Sequence, residues 1–466
     1  MKYLFAFLFS TALFSAVSAQ TTFERTYSYG IGSSICPLPN GDFLTGINYP
    51  LYGIARMDEN GNVLSFQNTN HTTINYIKQA NDGGFVYTGM SLINSYATVS
   101  KMDQYGSTLW TKSFQPSGFS ASASGILPLT DNTYIFNMSS NGANVSMPYQ
   151  IFKLDDDGNE LWRNFPGDAT ASNHSLINSD HLVIDAYTTR VNDEFGIITI
   201  TGIDKINGFT QWSKTIYDPA LMVNSNYPGF SLAANSSCLS AANEIYVAGS
   251  KSLMTDPMTG TSYQFILKTD VTGNTLWAKT FGEGSFQQIN QVADGGLVLI
   301  GKDAKYDGWM MMKINSNGDS LWSTYFNAFN NSTALDFHET ADQGFLVSGY
   351  AYEDINQAYY TYIIKTDSRG QVGKVTTINT TTESIFNNAS FSPTFVHDKA
   401  VIQLPVQAMS TSNSAVVVDM SGKIVKDFSI VDLQTEFSRE NLSSGAYTLV
   451  IKNSNGSSAH FKFIVE

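Results

Sequence analysis

The chain of 466 residues predicts an all-β fold, a seven-bladed β-propeller followed by a small Ig-like β-sandwich. Three observations carry that expectation. The stretch KTDVTGNTLWAKTF (residues 268–281) recurs along the chain, and a second hairpin signal precedes each copy. The repeat is lost beyond residue 378, where the last part of the chain breaks into short apolar runs of strand length. A fixed period governs the reading of a whole chain, because each repeat is one supersecondary unit that cannot bury its apolar face alone.

The chain opens MKYLFAFLFSTALFSAVSAQ, a lysine and an apolar run ending in small residues. That is the pattern of a secretory signal peptide over residues 1–19, cleaved between Ala19 and Gln20, and the run is too short to span a bilayer. No later stretch is long and apolar enough to be a transmembrane segment. Charged residues make up only 14% of the chain and the formal charge is −14. A nucleic-acid ligand would demand a basic surface, so this class is excluded.

Residues 20–378 hold the propeller repeats. Sister copies of the opening stretch are ARMDENGNVLSFQ (55–67), SKMDQYGSTLWTKSF (100–114), FKLDDDGNELWRNF (152–165), TGIDKINGFTQWSKTI (201–216), MKINSNGDSLWSTYF (312–326) and IKTDSRGQVGKV (364–375). Their turn glycines are Gly61, Gly106, Gly158, Gly208, Gly273, Gly318 and Gly370. Upstream lie turns such as DGGFVYTG (82–89), DGGLVLIG (294–301) and DQGFLVSG (342–349). An Asp/Asn/Gly turn followed by a β-branched and aromatic run writes a tight hairpin. Each repeat is therefore four short antiparallel strands, the make-up of a propeller blade. Apolar stripes of 3.6-residue period are missing, which excludes a helical solenoid.

The mature chain begins on a strand of the fourth kind, because FERTY (23–27) aligns with WAKTF (277–281). The seventh repeat has Lys374 where its Trp should stand. Residues 23–27 are thus expected to supply the outer strand of the last blade and to remove two exposed edges. Cys36 and Cys238 fall on inner strands of different repeats, too far apart for a disulfide, and are expected as free thiols.

The turn of the opening motif is nearly constant in length, so the face that carries it is plain. Length varies in the connections on the opposite face, among them INYPLYG (47–53), SLINSYA (91–97), AYEDINQAYY (351–360) and the long insertion 217–237. Loops on a rigid scaffold are where binding is built. Tyr49, Tyr96, Tyr306 and Tyr352 on that face are candidates to stack on sugars or pack against a protein partner.

The spacing Gly-x-x-x-Trp at Trp110, Trp162, Trp212, Trp277 and Trp322 resembles the tryptophan-docking repeat of pyrroloquinoline quinone dehydrogenases and related assembly proteins. That resemblance implies that these five residues lock neighbouring blades. The adjacent cysteine pair of those enzymes is missing, so no quinone cofactor is expected, nor any other. The Asp box of sialidases has a tighter spacing and does not match. DDDGNE (155–160) lacks the twelfth-position Glu of an EF-hand, and the six histidines have no ligand spacing, so no metal is expected. Neither a G-x-S-x-G elbow nor a phosphate loop occurs, and no catalytic residue is assigned.

A Thr-rich linker over 379–389 leads to residues 390–466, whose six or seven short strands predict the sandwich. VVVDMSGKIV (416–425), ENLSSGAYTLVIKN (440–453) and the terminal HFKFIVE resemble the type A sorting domain of the bacterial type IX secretion system. Gly422, Lys423, Leu442, Gly445, Tyr447 and Lys462 occupy the motif positions. FSPTF stands where members of the family have Pro-Asn-Pro. The resemblance implies the type IX machinery as a partner, passage through the periplasm, and release or attachment at the cell surface. The expected role is an exported protein that binds a glycan or surface protein through its variable-loop face. A carbohydrate-active hydrolase with paired carboxylates and an adhesin that is mainly a spacer are the alternatives.

Overall fold

The computed structural model describes residues 21–69, 72–115, 120–141, 149–166, 169–191, 195–216, 230–254, 260–306, 308–327, 331–354, 357–373, 386, 389–393, 395–405, 408, 413–419, 423–453 and 458–465. The expected signal peptide with Ala19 and Gln20, most of the linker, and Gly422 lie outside them. The chain divides into two compact units, Met1–Val375 and Thr376–Glu466. Among the described residues both are built of strands without an α-helix, and no helix is long and apolar enough to cross a membrane.

In the first unit the strands form successive antiparallel groups of four. The first group is Gly30–Pro37, Phe43–Pro50, Gly53–Met57 and Val63–Asn68. The second is Tyr76–Gln79, Phe85–Met90, Ala97–Met102 and Thr108–Phe114. The third is Ser120–Pro128, Tyr134–Asn141, Tyr149–Leu154 and Glu160–Asn164. The fourth is Ala169–Asn178, Leu182–Val191, Phe195–Asp204 and Thr210–Ile216. The fifth is Phe230–Leu239, Glu244–Met254, Gly260–Asp270 and Thr275–Gln291, and the last of these continues as the leading strand of the sixth. Leu297–Asp303, Trp309–Ile314 and Ser320–Phe326 complete the sixth group.

The seventh group, Ser332–Glu339, Phe345–Glu353 and Ala358–Thr366, takes its fourth strand from the other end of the unit. Phe23–Tyr27 pairs antiparallel with it, Phe23 opposite Lys365 and Tyr27 opposite Thr361. Thr22 Oγ1 also accepts from the amide of Gly373 at 3.0 Å. The strand FERTY therefore sits where its likeness to WAKTF put it, and the edge of Ala358–Thr366 is covered.

The repeated turn is local chemistry. Asp270 Oδ1 accepts from the amides of Thr272 and Asn274, both at 2.9 Å, and Gly273 closes the turn with a positive φ of 80°. Burial alone would raise its pKa slightly, but those hydrogen bonds outweigh it and lower the pKa of Asp270 to about 2, so it stays ionised. The lysine two positions earlier is scaffold too. Lys101, Lys268, Lys313 and Lys365 lay their stems on the sheet and reach an acid in the upstream turn of the same group, at Asp82, Glu244, Asp294 and Asp342.

Tryptophan docking joins one group to the next. The Trp110 indole N–H donates to the Asp156 carbonyl at 2.9 Å, and that of Trp162 to the Lys205 carbonyl at 3.1 Å. The ring of each docking Trp covers the turn glycine of the following group: Trp110 on Gly158, Trp162 on Gly208, Trp212 on Gly273, Trp277 on Gly318 and Trp322 on Gly370. Only glycine fits at Gly208, where φ is +75° and a Cβ would lie 2.6 Å from the indole of Trp162. Phe23 repeats this arrangement across the closure, lying against Gly61, and the Tyr27 hydroxyl donates to the Gly61 carbonyl.

In the second unit Ser390–Ser392, Lys399–Gln403 and Gln434–Ser438 form one sheet. Phe395–Val396, Ser458–Val465, Gly445–Asn453, Asn413–Asp419 and Ile424–Ile430 form the other, in that order. Phe391 and Phe437 of the first sheet pack on Phe463 of the second with ring centroids 5.0 and 5.3 Å apart. Ile402, Val417 and Leu449 complete the shared core.

Candidate functional site

Antiparallel order places the two hairpin turns of each group at one edge. The connections between second and third strands, and those between groups, lie at the opposite edge. The four candidate tyrosines all lie near that second edge. Tyr49, next to last in its strand, has a positive φ of 36° and is 58% exposed. Tyr96 precedes Ala97–Met102. Tyr306 packs against Tyr325 with centroids 4.0 Å apart, and Tyr352 against Tyr359 at 4.8 Å, both pairs tilted. Among the described residues no ring contact joins two of the four.

What gathers is the set of leading strands. Six of them shift register: between Gly32 and Ile35, Ala123 and Gly125, Ala169 and His174, Ala234 and Ser236, Phe286 and Gln288, and Ala334 and Asp336. A bulge turns a side chain out of the ladder. The side chain that follows accepts from the backbone of the next group. The Ile77 amide donates to Ser34 Oγ at 3.1 Å, Ile289 to Ser236 Oγ at 3.3 Å, Phe337 to Gln288 Oε1 at 2.8 Å, and Ile35 to Asp336 Oδ2 at 2.9 Å. The last of these ties the seventh group to the first.

Between these strands lies a cavity of about 260 Å³. Ser33, Ser34, Asn48, Asn75, Asn235 and Gln287 give it a neutral polar wall, Ile31, Leu335 and Tyr76 its apolar part, and Asp336 its one carboxylate. Asn48 is the neighbour of Tyr49 at the end of its strand, so the cavity lies toward the variable-loop edge.

Asp336 is 2% exposed and fully engaged. Ser34 Oγ donates to its Oδ2 at 2.6 Å and Gln288 Nε2 to its Oδ1 at 2.8 Å. Burial opposes its charge, but His338, Lys78 and these donors outweigh it, and the carboxyl remains below the ordinary range. Burial, helped by the adjacent Lys78 ammonium, pushes His338 down to about 4. The imidazole is thus neutral at pH 7, and its Nε2 accepts from Lys78 Nζ at 3.0 Å. Burial and the charge of Asp336 raise Tyr76 to about 12. Cys36 is a free thiol that burial raises to about 11, and Cys238, also free, is raised by burial to about 12. Neither thiol is poised as a nucleophile. Among the described residues no group of three or more His, Cys, Asp or Glu could hold a metal ion.

Sequence reasoning missed the Asp336, His338 and Lys78 cluster. Its signal is an acid in STALDFHE (332–339) at the position where sister repeats have Ser34, Ser236 or Gln288.

The described sorting-motif residues map mainly to adjoining strands of the second unit. Tyr447 stands opposite both Asp419 and Phe463, stacks on the latter at 5.7 Å, and donates from its hydroxyl to the Ser443 carbonyl. Gly445 opens the strand, Leu442 is buried in the core, and Lys462 is exposed opposite Thr448. The Lys423 amide donates to Asp419 Oδ1 at 3.1 Å.

A family model described as outer membrane protein assembly factor BamB matches residues 53–324, and one described as secretion system C-terminal sorting domain matches residues 393–466. The sorting domain indicates export to the cell surface or secretion, and it implies interaction with the type IX secretion machinery. No curated protein matches the chain. Among solved structures, the chain is similar to the extracellular domain of a hybrid two-component system from B. thetaiotaomicron: 10% identity, 94% of this chain, TM-score 0.41. It spans only 55% of that chain's length. It is also similar to a Dyadobacter fermentans protein of unknown function (11% identity, 74% of this chain and 97% of that one, TM-score 0.44). A third is a fungal alcohol oxidase of the AA5 family (13% identity, 96% and 99%, TM-score 0.45). At this level of likeness none of the three carries an argument about activity.

Proposed function

The chain belongs to the family described as outer membrane protein assembly factor BamB, and from that premise we propose an exported seven-bladed β-propeller that binds a neutral glycan at the mouth of its central channel. In this reading the seven four-stranded groups are blades, Phe23–Tyr27 closes the ring, and Trp110, Trp162, Trp212, Trp277 and Trp322 lock adjacent blades. Residues 1–19 are a signal peptide removed before Gln20, residues 379–389 a linker, and residues 390–466 an Ig-like sandwich with Gly422, Lys423, Leu442, Gly445, Tyr447 and Lys462 as its sorting motif.

The observation that carries the binding role is the cavity of about 260 Å³ on the variable-loop side, with its wall of amides and hydroxyls. Hydroxyl-rich ligands are recognised by a few placed polar groups against apolar surface, and Tyr49, Tyr96, Tyr306 and Tyr352 supply further rings on the surrounding edge. Asp336 is the one carboxylate among the lining residues and is fully hydrogen-bonded. A glycosidase would place two carboxyl groups there, so the lining supports binding over hydrolysis. A cavity of this kind also favours a binder over a spacer.

A glycan array probed with the exported protein tests the proposal. Saturable binding to a neutral glycan is expected, with loss in Gln287→Trp and Leu335→Trp, which fill the cavity. Binding that survives both substitutions in folded protein would contradict it, as would the lack of any neutral glycan ligand.

A further inference from the structure

One docking position lacks its ring. Four residues after each turn glycine stands the aromatic side chain that covers the next group: Trp110, Trp162, Trp212, Trp277 and Trp322, with Phe23 in the corresponding place on the closing strand. In the first group that position is Ser65, in NVLSFQ, and its side chain is exposed. The glycine it would cover is Gly106, and a Cβ there would meet only the Gln67 amide oxygen, at 3.0 Å.

The receiving side of the joint is nevertheless intact. Trp110 packs on Tyr134 with centroids 6.3 Å apart, Trp322 on Phe345 at 6.0 Å, and Phe23 on Phe43 at 6.4 Å. Phe85 occupies the corresponding position at the start of the second strand of the second group. The carbonyl of Asp156, which accepts the Trp110 indole N–H, corresponds to that of Gln104, two residues before the turn glycine in each case. Phe85, Gln104 and Gly106 line one cavity of about 420 Å³, together with Ser65, Met102 and Arg56. That volume falls within the range of small-molecule sites.

We propose that this cavity is a vacant tryptophan socket that binds an indole-bearing ligand, with the ring on Gly106 and Phe85 and its N–H donated to the Gln104 carbonyl. The occupant's chemistry follows from the protein's own precedent, because the sister sockets hold an indole in this manner. A donor on the ring matters, since a carbonyl covered by an apolar ring loses its water without replacement. Free indole and a tryptophan side chain presented by a partner share this chemistry.

The test is titration of the full exported protein with indole and with tryptophanamide, followed by ligand-observed saturation-transfer NMR. Naphthalene, which has no N–H, serves as a third probe. The wild-type protein is expected to bind indole saturably at one site, with at least tenfold weaker binding of naphthalene. Tryptophanamide binding as tightly as indole would indicate a site open enough for a peptide side chain, and indole alone would indicate a free small molecule. Ser65→Trp should plug the socket from within, abolish indole binding and raise the melting midpoint. Ser65→Phe, which copies Phe23, should do the same with a smaller ring. Failure of indole to saturate wild-type protein would overturn the proposal. So would undiminished binding in either folded variant, or failure of both variants to fold, because a vacant socket accepts the ring.

Discussion

Replacing Gly208 by alanine probes whether tryptophan docking holds neighbouring sheets together. The residue has φ of +75°, and an added Cβ would lie 2.6 and 2.7 Å from ring carbons of Trp162. The left-handed backbone alone costs an L-residue about 1–2 kcal/mol. Carbon atoms pack at about 3.5–4 Å, so the indole must retreat by about 1 Å, and overpacking of that size costs a further ~1–3 kcal/mol. Gly295 separates the two contributions. Its φ is +83°, and nothing lies within 4 Å of its added Cβ. Urea unfolding should therefore show Gly295→Ala destabilised by about 1–2 kcal/mol and Gly208→Ala by roughly 2–5 kcal/mol. In a Trp162→Ala background the cost of Gly208→Ala should fall to that of Gly295→Ala, a coupling that a double-mutant cycle reads directly. Equal costs for the two glycines, or no coupling to Trp162, would refute the reasoning.

Two buried titratable groups give stability opposite dependences on pH. Asp185 is fully buried, among the described residues neither carboxyl oxygen has a hydrogen-bond partner at bonding distance, and burial, partly offset by the Tyr149 hydroxyl, raises it to about 8 from 3.8. It is neutral in the fold and ionised in the unfolded chain, so stability should fall by about 1.4 kcal/mol per pH unit as pH rises from about 4 to 8. Asp185→Asn should remove that slope, and a stability difference from wild type that does not vary with pH would contradict it. His338, held neutral at about 4 against 6.5, works the other way. Its contribution is present above pH 6.5 and is lost as pH falls toward 4, so His338→Gln should lose less stability than wild type across that window in pH-dependent unfolding. Deleting residues 20–27 should expose the edge of Ala358–Thr366 and lower the melting midpoint by several degrees; an unchanged midpoint would show that Phe23–Tyr27 is dispensable.

Much of the scaffold was legible because it repeats. Asp270, Gly273, Trp277 and Lys268 each have counterparts at fixed spacing, and turn hydrogen bonds, ring docking and ion pairs are local enough to be written in a short motif. The closing strand was legible for the same reason, since Phe23–Tyr27 copies residues 277–281. The cavity between the leading strands was not. Its wall is built from residues scattered over several strands, and Ser34, Ser236, Gln288 and Asp336 do the same backbone-accepting work with hydroxyl, amide and carboxylate oxygens, so no motif survives. The run FGEGS within Thr275–Gln291 offers glycines where a connection was due, yet the strand passes straight through and serves two groups. For the candidate tyrosines, sequence could not tell that Tyr306 and Tyr352 already pack against Tyr325 and Tyr359. The empty position at Ser65 was visible in the repeat alignment, and its meaning required the intact socket opposite it.

An exported propeller of this kind should be delivered by its own C-terminal domain. Expression in a bacterium with a type IX system, comparing the full chain with one ending at residue 389, measures this directly by cell fractionation. The full chain should reach the surface or the medium, and the shortened chain should accumulate folded in the periplasm. Equal surface delivery of both would contradict delivery by the C-terminal domain.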